Sequence, residues 1–390
     1  MPLLGFLVAA LYVPLLPSAT EVGRWGVMLI GAVLILRRST MTGAHWAGLA
    51  FLAWSTIGLL WSFSPWDTLG GVLHLIVLAL LFCVAAETAS LDGALTGFGL
   101  GITVSALFSL SQWIGYQPLF HIQDHPAGLF LTKNAAVEAA APVLVWAILT
   151  RRWWAIPGAL ITIVPSGARE VYLMLAGAGT YLLMRYAYRK PGGTRWTALA
   201  ALGMVLSFGA LLIICVAAWS DAETVSINQR LEIWQVALAA WWLHPMGWGL
   251  NAFGSMFMSY GFAHNDYIQL LTETGPAVIL VLAVFWCSLS ERTEDFVAKA
   301  CLASLLASAL VWWPLQQPAS AFLVAVLCGH LCGLRVRVPQ PGRRSMLHAG
   351  LWPARLAARN VWGVDLVRQA VAARPQHPLG GGEVPRGLER

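Results

Sequence analysis

The sequence predicts an all-α polytopic membrane protein of about 12 transmembrane helices. Charge is scarce: 58% of the 390 residues are hydrophobic and only 11% charged, less than half the roughly 25% carried by a water-soluble domain. Mean hydropathy is correspondingly high, at +0.69. Apolar runs recur at about the 20-residue length that a membrane-spanning helix needs. Twenty Trp and 37 Gly suit the same medium, because indoles settle at interfaces and glycine lets helices approach closely.

On that ruler the spans fall at 2–17, 23–36, 43–62, 67–86, 93–115, 134–150, 153–166, 170–188, 196–219, 267–289, 296–315 and 318–334. The run Pro2–Leu16 lacks a basic flank and a clear cleavage site, so it is read as a first span and not as a removed signal. An even number of spans returns both termini to one side. With the N-terminus cytoplasmic, Arg37–Arg38, Arg151–Arg152, the group Arg185, Arg189, Lys190 and Arg195, then Arg292, Lys299 and the tail all lie inside. Only Arg24, Lys133, Arg169 and Arg230 remain outside. This positive-inside bias orients the chain, with Ala86–Asp92 the one inside loop that has acids and no base.

The chain divides into a transmembrane domain, 1–334, and a basic cytoplasmic tail, 335–390. The tail holds ten Arg against three acids, so the net charge of +6 belongs to the tail. Behind an apolar body such a tail points to anionic membrane lipid and not to nucleic acid. Prolines and glycines punctuate it, and its end from Arg374 is predicted to be disordered. The six cysteines all fall in apolar segments and read as packing residues.

No P-loop, dinucleotide-binding glycine fingerprint, HExxH or GxSxG is present, so nothing in the sequence predicts a cofactor or an ATP-driven cycle. His121, Asp124 and His125 are metal-ligand types in a short loop without a fourth partner, and no metal is predicted there. The informative stretch is the long outside loop, about 220–266. Within it Ser226–Leu243 has helical periodicity behind a Ser cap and is predicted to lie along the membrane surface. A Pro/Gly-rich turn, HPMGWGLNAFG, follows.

His264, Asn265, Asp266 and Glu273 then cluster where the chain re-enters the bilayer. An imidazole such as that of His264 accepts a proton near neutral pH, and Asn265 is placed to orient it or a sugar hydroxyl. Arg230, Arg169 and Lys133 are cations of a kind that suits a diphosphate. Together they suit a hydroxyl attacking a sugar whose leaving group is a lipid diphosphate. Plainer readings stand beside these. His264 also fits a hydrogen-bonded loop residue, Arg230 and Arg169 fit interfacial anchors, and Glu273 fits a helix cap or a partner for a cation.

The run His264–Asn265, nine residues, Gly275, two residues, Val278 resembles the H-[NSQ]-x9-G-x-x-[GTV] pattern of the O-antigen ligase family. RLEIWQVALAAWWLHPMGWGLNAFG is similar to that family's Arg-x-x-x-Trp surface helix and Gly-x-Gly turn, here Arg230, Trp234, Pro245, Gly247 and Gly249. Leu59–Leu75 and Gly128–Leu144 resemble its span-loop-span signature and its Asn-bearing sixth helix. Where the family often has Ser-Arg-Gly, this chain has Ser166-Gly167-Ala168-Arg169-Glu170, which sets a carboxylate beside the expected phosphate-binding Arg169.

The resemblance implies a C-type membrane glycosyltransferase fold in the bacterial inner membrane with a periplasmic catalytic loop. It implies inverting transfer of a finished glycan from undecaprenyl diphosphate to an acceptor, lipid A–core in the ligases, without metal or ATP. His264 and Arg230 are then the expected catalytic pair, with Arg169, Asn265, Lys133 and Glu273 as substrate-binding residues. Polymerase and protein O-glycan ligase activities share these motifs. A transporter or flippase is the non-enzyme alternative, disfavoured because ionisable residues collect at the outer face, with His74, Glu138 and His330 the main exceptions within spans.

Overall fold

In a computed structural model the described residues are 1–12, 17–35, 43–87, 91–116, 125–188, 221–258, 261–290, 295–312 and 314–337. The expected span 196–219 and nearly all of the basic tail lie outside them. The helices are α1 (Pro2–Ala10), α2 (Pro17–Ile35), α3 (Gly43–Ile57), α4 (Pro65–Glu87), α5 (Leu91–Trp113), α6 (Lys133–Thr150), α7 (Ala155–Ser166) and α8 (Glu170–Tyr188). They continue with α9 (Asp221–Leu243), the short α10 (Phe253–Met256), α11 (Asp266–Thr274), α12 (Val278–Ser290), α13 (Phe296–Ser308) and α14 (Pro318–Arg337). No strand occurs among the described residues.

The chain is a helical membrane protein by composition and build. Among the described residues, four continuous helical stretches are long and apolar enough to cross a bilayer: 43–60, 65–87, 91–113 and 266–290. Three further apolar helices are shorter, 155–166, 296–308 and 318–333. At 1.5 Å per residue the 12 residues of α7 reach only about 18 Å, against a hydrocarbon core of about 30 Å. The twelve-span expectation therefore exceeds what these helices show. The expected tenth span is two helices joined by a 3-10 turn at Gly275–Ala277. The first span ends at Ala10 and the second starts at Pro17, earlier than the hydropathy pattern predicts in both cases.

Helix α6 forms the centre. Thr132 caps it, its hydroxyl accepting from the Ala135 amide at 3.1 Å, and every residue from Ala135 to Ala147 is buried. Such a helix shows no amphipathic stripe because it is covered all round. Its alanines bring neighbouring helices close, and Phe98 of α5 stacks on Phe322 of α14 at 5.8 Å. Glu138 is fully buried in this core, where the hydroxyls of Ser308 and Ser320 donate to it at 2.9 and 3.4 Å. On α14, Gly329 and Gly333 lie one turn apart and press onto the backbone of Phe82 and Ala86 in α4. A Cβ at either glycine would collide with a carbonyl, the small-residue contact expected of helices packed in lipid.

Because successive helices reverse direction, polar groups sort to two ends of the bundle. One end holds the Arg152–Asp92 ion pair at 2.7 Å, the His330–Asp295 contact at 2.8 Å and Arg185 over the Phe296 ring. The other holds the 125–132 loop, the α7–α8 turn, α9 and the start of α11. There Arg24, 1% exposed, donates to the Leu129 carbonyl at 3.0 Å and lies over Phe130. The side-chain carbonyl of Gln112 accepts from the Ala127 and Gly128 amides. These bonds fix the loop that delivers Lys133 to the top of α6.

Candidate functional site

Helix α9 begins at Asp221, five residues before the cap expected from sequence. Arg230, Ile233, Trp234 and Ala237 recur at the spacing of one helical face. Ile233 and Ala237 pack with Phe253 and Ala263 in a small apolar cluster. The Trp234 indole donates to the Ala263 carbonyl at 2.8 Å, and the Thr272 hydroxyl donates to the Ala237 carbonyl at 3.2 Å. This face therefore carries Arg230 to the residue that precedes His264.

The chain between α9 and α11 folds back on the end of α11. Gly247 and Gly249 adopt φ of +89° and +105°, which glycine alone adopts readily. A Cβ at Gly247 would strike the Glu273 carbonyl. The Trp248 and Gly249 amides donate to the Thr272 and Glu273 carbonyls at 3.1 and 2.9 Å. The Glu273 carboxylate accepts from the Asn251 amide at 2.8 Å, the Phe253 amide at 3.3 Å and the Gln269 side chain at 2.9 Å. Glu273 is 2% exposed. Among the described residues it neither caps the helix nor pairs with a cation; it holds the turn that follows Gly-x-Gly.

His264 sits in the left-handed region, at φ +52°, a conformation uncommon for a non-glycine residue. Both neighbours are tied down. The Ala263 amide donates to Gln269 Oε1 at 3.1 Å, while its carbonyl holds Trp234. Asn265 caps α11 by accepting from the Ile268 amide at 3.0 Å and donates to the Leu310 carbonyl at 2.9 Å. The Asp266 amide reaches the Ala309 and Trp312 carbonyls at 3.0 and 3.2 Å, and its carboxylate accepts from the Leu315 amide at 2.8 Å. The strained residue is over-determined by its surroundings, as functional sites often are.

What this positions is a ring and two cations. The His264 imidazole lies 5.0 Å from the Trp312 ring, and the Arg230 guanidinium lies 5.8 Å from the same ring. Burial first, and Arg230 second, push the His264 pKa down to about 4, so the imidazole is neutral at pH 7. Burial also lowers the Arg230 guanidinium, and the Glu170 carboxylate works against that shift. Glu170, the first residue of α8, feels Arg230 and then Lys133. Arg230, His264, Lys133, Glu170 and Trp312 thus form one electrostatic group.

Residues 154–283 match the model of the O-antigen ligase family. That segment, a third of the chain, is similar to the O-antigen ligase family. No curated protein matches the chain. The O-antigen ligase segment carries Arg169, Glu170, Arg230, His264, Asn265 and Glu273, whereas Lys133 and Trp312 come from outside it. Arg169 is exposed at the α7–α8 turn; the residue coupled to Arg230 is its neighbour Glu170. Asn265 and Glu273 are engaged with backbone. His121 and Asp124 lie outside the described residues, and His125 is exposed.

Sequence reasoning missed Trp312. The expected span 296–315 absorbed it, whereas the helix ends at Ser308 and the following turn wraps Asn265 and Asp266. Pro314 was the available signal, since a proline restricts the residue before it and marks the end of a helix.

Removing the Glu273 carboxylate leaves three donors, two of them fully buried, without an acceptor. Glu273→Ala should therefore cost about 3 kcal/mol or more, at roughly 1–3 kcal/mol per unsatisfied group. Thermal unfolding of the detergent-solubilised chain checks this; an unchanged midpoint would refute the turn-holding role.

Proposed function

We propose that this protein transfers a glycan from an undecaprenyl diphosphate carrier to an acceptor hydroxyl at the periplasmic face of the bacterial inner membrane. The reading is O-antigen ligase-like, with lipid A–core as acceptor, on a twelve-span C-type architecture with both termini cytoplasmic. The similarity of residues 154–283 to the O-antigen ligase family supports the general activity. The observation that carries the specific reading is the convergence of Arg230 and His264 on the Trp312 ring. The ion-paired Arg152 and the ring-stacked Arg185 at the opposite end of the bundle support the orientation.

The chemistry follows from the charges. The diphosphate lies against Arg230 and Lys133, with Arg169 at the open side, and the carrier chain runs down between helices. Lys133 begins α6, whose N-terminal amides add to the positive potential. Without substrate, Glu170 offsets the repulsion between the two half-buried cations. The acceptor oxygen attacks the first sugar carbon from the face opposite the diphosphate. The acceptor proton passes to the His264 imidazole, and the carbon–oxygen bond breaks with its electron pair leaving on the diphosphate. Charge builds on that leaving group in the transition state, where a pre-placed guanidinium stabilises it more than it stabilises the ground state.

Arg230 also tunes the base. Its charge helps hold His264 neutral and weakly basic, and an arriving diphosphate neutralises that charge. The imidazole gains basicity when the donor is in place, so proton abstraction is favoured only in the loaded site.

His264→Ala should lower transfer by at least about 100-fold, the usual contribution of a general base, while the chain stays inserted and folded. Arg230→Lys keeps the charge but loses the planar fork and should cost roughly tenfold. Reconstituted transfer assays in vesicles read both; full activity of His264→Ala would end the base assignment.

The acid limb of kcat/KM reports the free enzyme. It should fall near pH 4, where His264 gains its proton. A limb near pH 6.5, the ordinary imidazole value, would contradict the buried, cation-flanked setting.

A further inference from the structure

The transfer chemistry above uses one member of the charged group, Glu170, only as a counter-charge. Glu170 opens α8, directly after the exposed Arg169. It stands where the Ser-Arg-Gly pattern has glycine, so that pattern does not account for its carboxylate. Arg230 of α9 and Lys133 of α6 attract it, and Glu138, further down α6, repels it. Helix α13, which packs along α8, adds no charge here. Its one charged residue, Lys299, lies at the end where Asp295 meets His330.

An acid in the first turn of a helix is an ordinary stabiliser, because it complements the helix dipole. Two observations take Glu170 beyond that role. The first is an unpaired atom. Glu170 Oε1 is shut off from solvent and has no hydrogen-bond partner among the described residues, whereas both oxygens of Glu138 accept from serine hydroxyls. A buried acceptor left unpaired is costly, and a ligand hydroxyl would satisfy it. The second is placement. The cations that attract Glu170 are those set against the diphosphate, and Arg230 shares the Trp312 ring with His264. The carboxylate therefore belongs to the end of the site where the sugar–phosphate bond breaks.

Two lipids that occupy the site differ at that end. On the transferase reading, from which this inference follows, the donor's outer phosphate bears a sugar with hydroxyl groups and one fixed charge. Once the glycan has left, the same phosphate ends in a free oxygen and gains most of a second charge above about pH 6. A carboxylate with an unpaired oxygen accepts from the first and repels the second. We infer that Glu170 is a specificity residue, distinguishing the sugar-bearing donor from the sugar-free lipid diphosphate that transfer leaves behind. Lys133 and Arg230 alone would hold the more highly charged product more tightly, since attraction grows with ligand charge. Glu170 offsets that bias and favours product departure.

The test is equilibrium binding of two radiolabelled lipids to the full chain in lipid nanodiscs, at about pH 8, where the product carries its extra charge. The lipids are undecaprenyl diphosphate and undecaprenyl diphosphate N-acetylglucosamine. Glu170→Gln keeps the shape and removes the charge. It should tighten undecaprenyl diphosphate by at least about tenfold and change the sugar-bearing lipid by less than about threefold. Glu170→Gly, with no side chain to misplace, should move the preference the same way. Glu170→Asp keeps the charge and should hold the parent preference to within about threefold. An equal shift for both lipids, as a general counter-charge would give, or no shift for either, overturns the inference and leaves the transferase reading standing. No saturable binding of either lipid to the parent chain removes the diphosphate site itself, and the inference falls with it.

Discussion

The structure depends on one strained residue held from both sides. His264 occupies a left-handed conformation because Ala263 is bonded to Trp234 and Gln269 and Asn265 is bonded to Leu310 and Ile268. Those bonds join α9, α11 and the turn after α13. Their separations along the chain, 29 residues for Trp234–Ala263 and 45 for Asn265–Leu310, show how distant segments are recruited to fix one imidazole. A relaxed backbone at this point would move the ring off Trp312 and away from Arg230. The strain is thus a means of aiming a side chain, and the hydrogen bonds around it offset its cost.

Electrostatics complete what the backbone begins. Two cations come from different helices, Lys133 from α6 and Arg230 from α9, and meet over a carboxylate from a third, Glu170. Opposite charge within a partly buried site keeps such a group together, and a diphosphate supplies the same charge. The imidazole beside it is kept neutral by burial and by the guanidinium.

Much of this was legible in the residues. Composition announced the membrane, and the Gly-x-Gly turn and the His264–Asn265 pair marked the region where the site forms. What the sequence could not show is partner choice. Asn265 and Glu273 carry the same polar atoms whether they face a sugar or a backbone amide, and here they hold α11 and the glycine turn. Glu170 looked like a competitor for its neighbour Arg169, yet helix geometry directs it to Arg230, 60 residues away. Trp312 was hidden inside an apolar run because hydropathy does not register where a helix stops. The number of spans was not legible for a related reason: α7 is apolar throughout but only 12 residues long, and a buried helix in a bundle gives the same pattern as a short span.

The most direct test is an electron cryomicroscopy structure of the full chain with undecaprenyl diphosphate bound in lipid nanodiscs. The account predicts phosphate oxygens within hydrogen-bonding distance of Arg230 and Lys133, with the His264 ring still against Trp312 and facing the diphosphate. Phosphate density on the other side of α11, or a His264 ring turned away from Trp312, would contradict it.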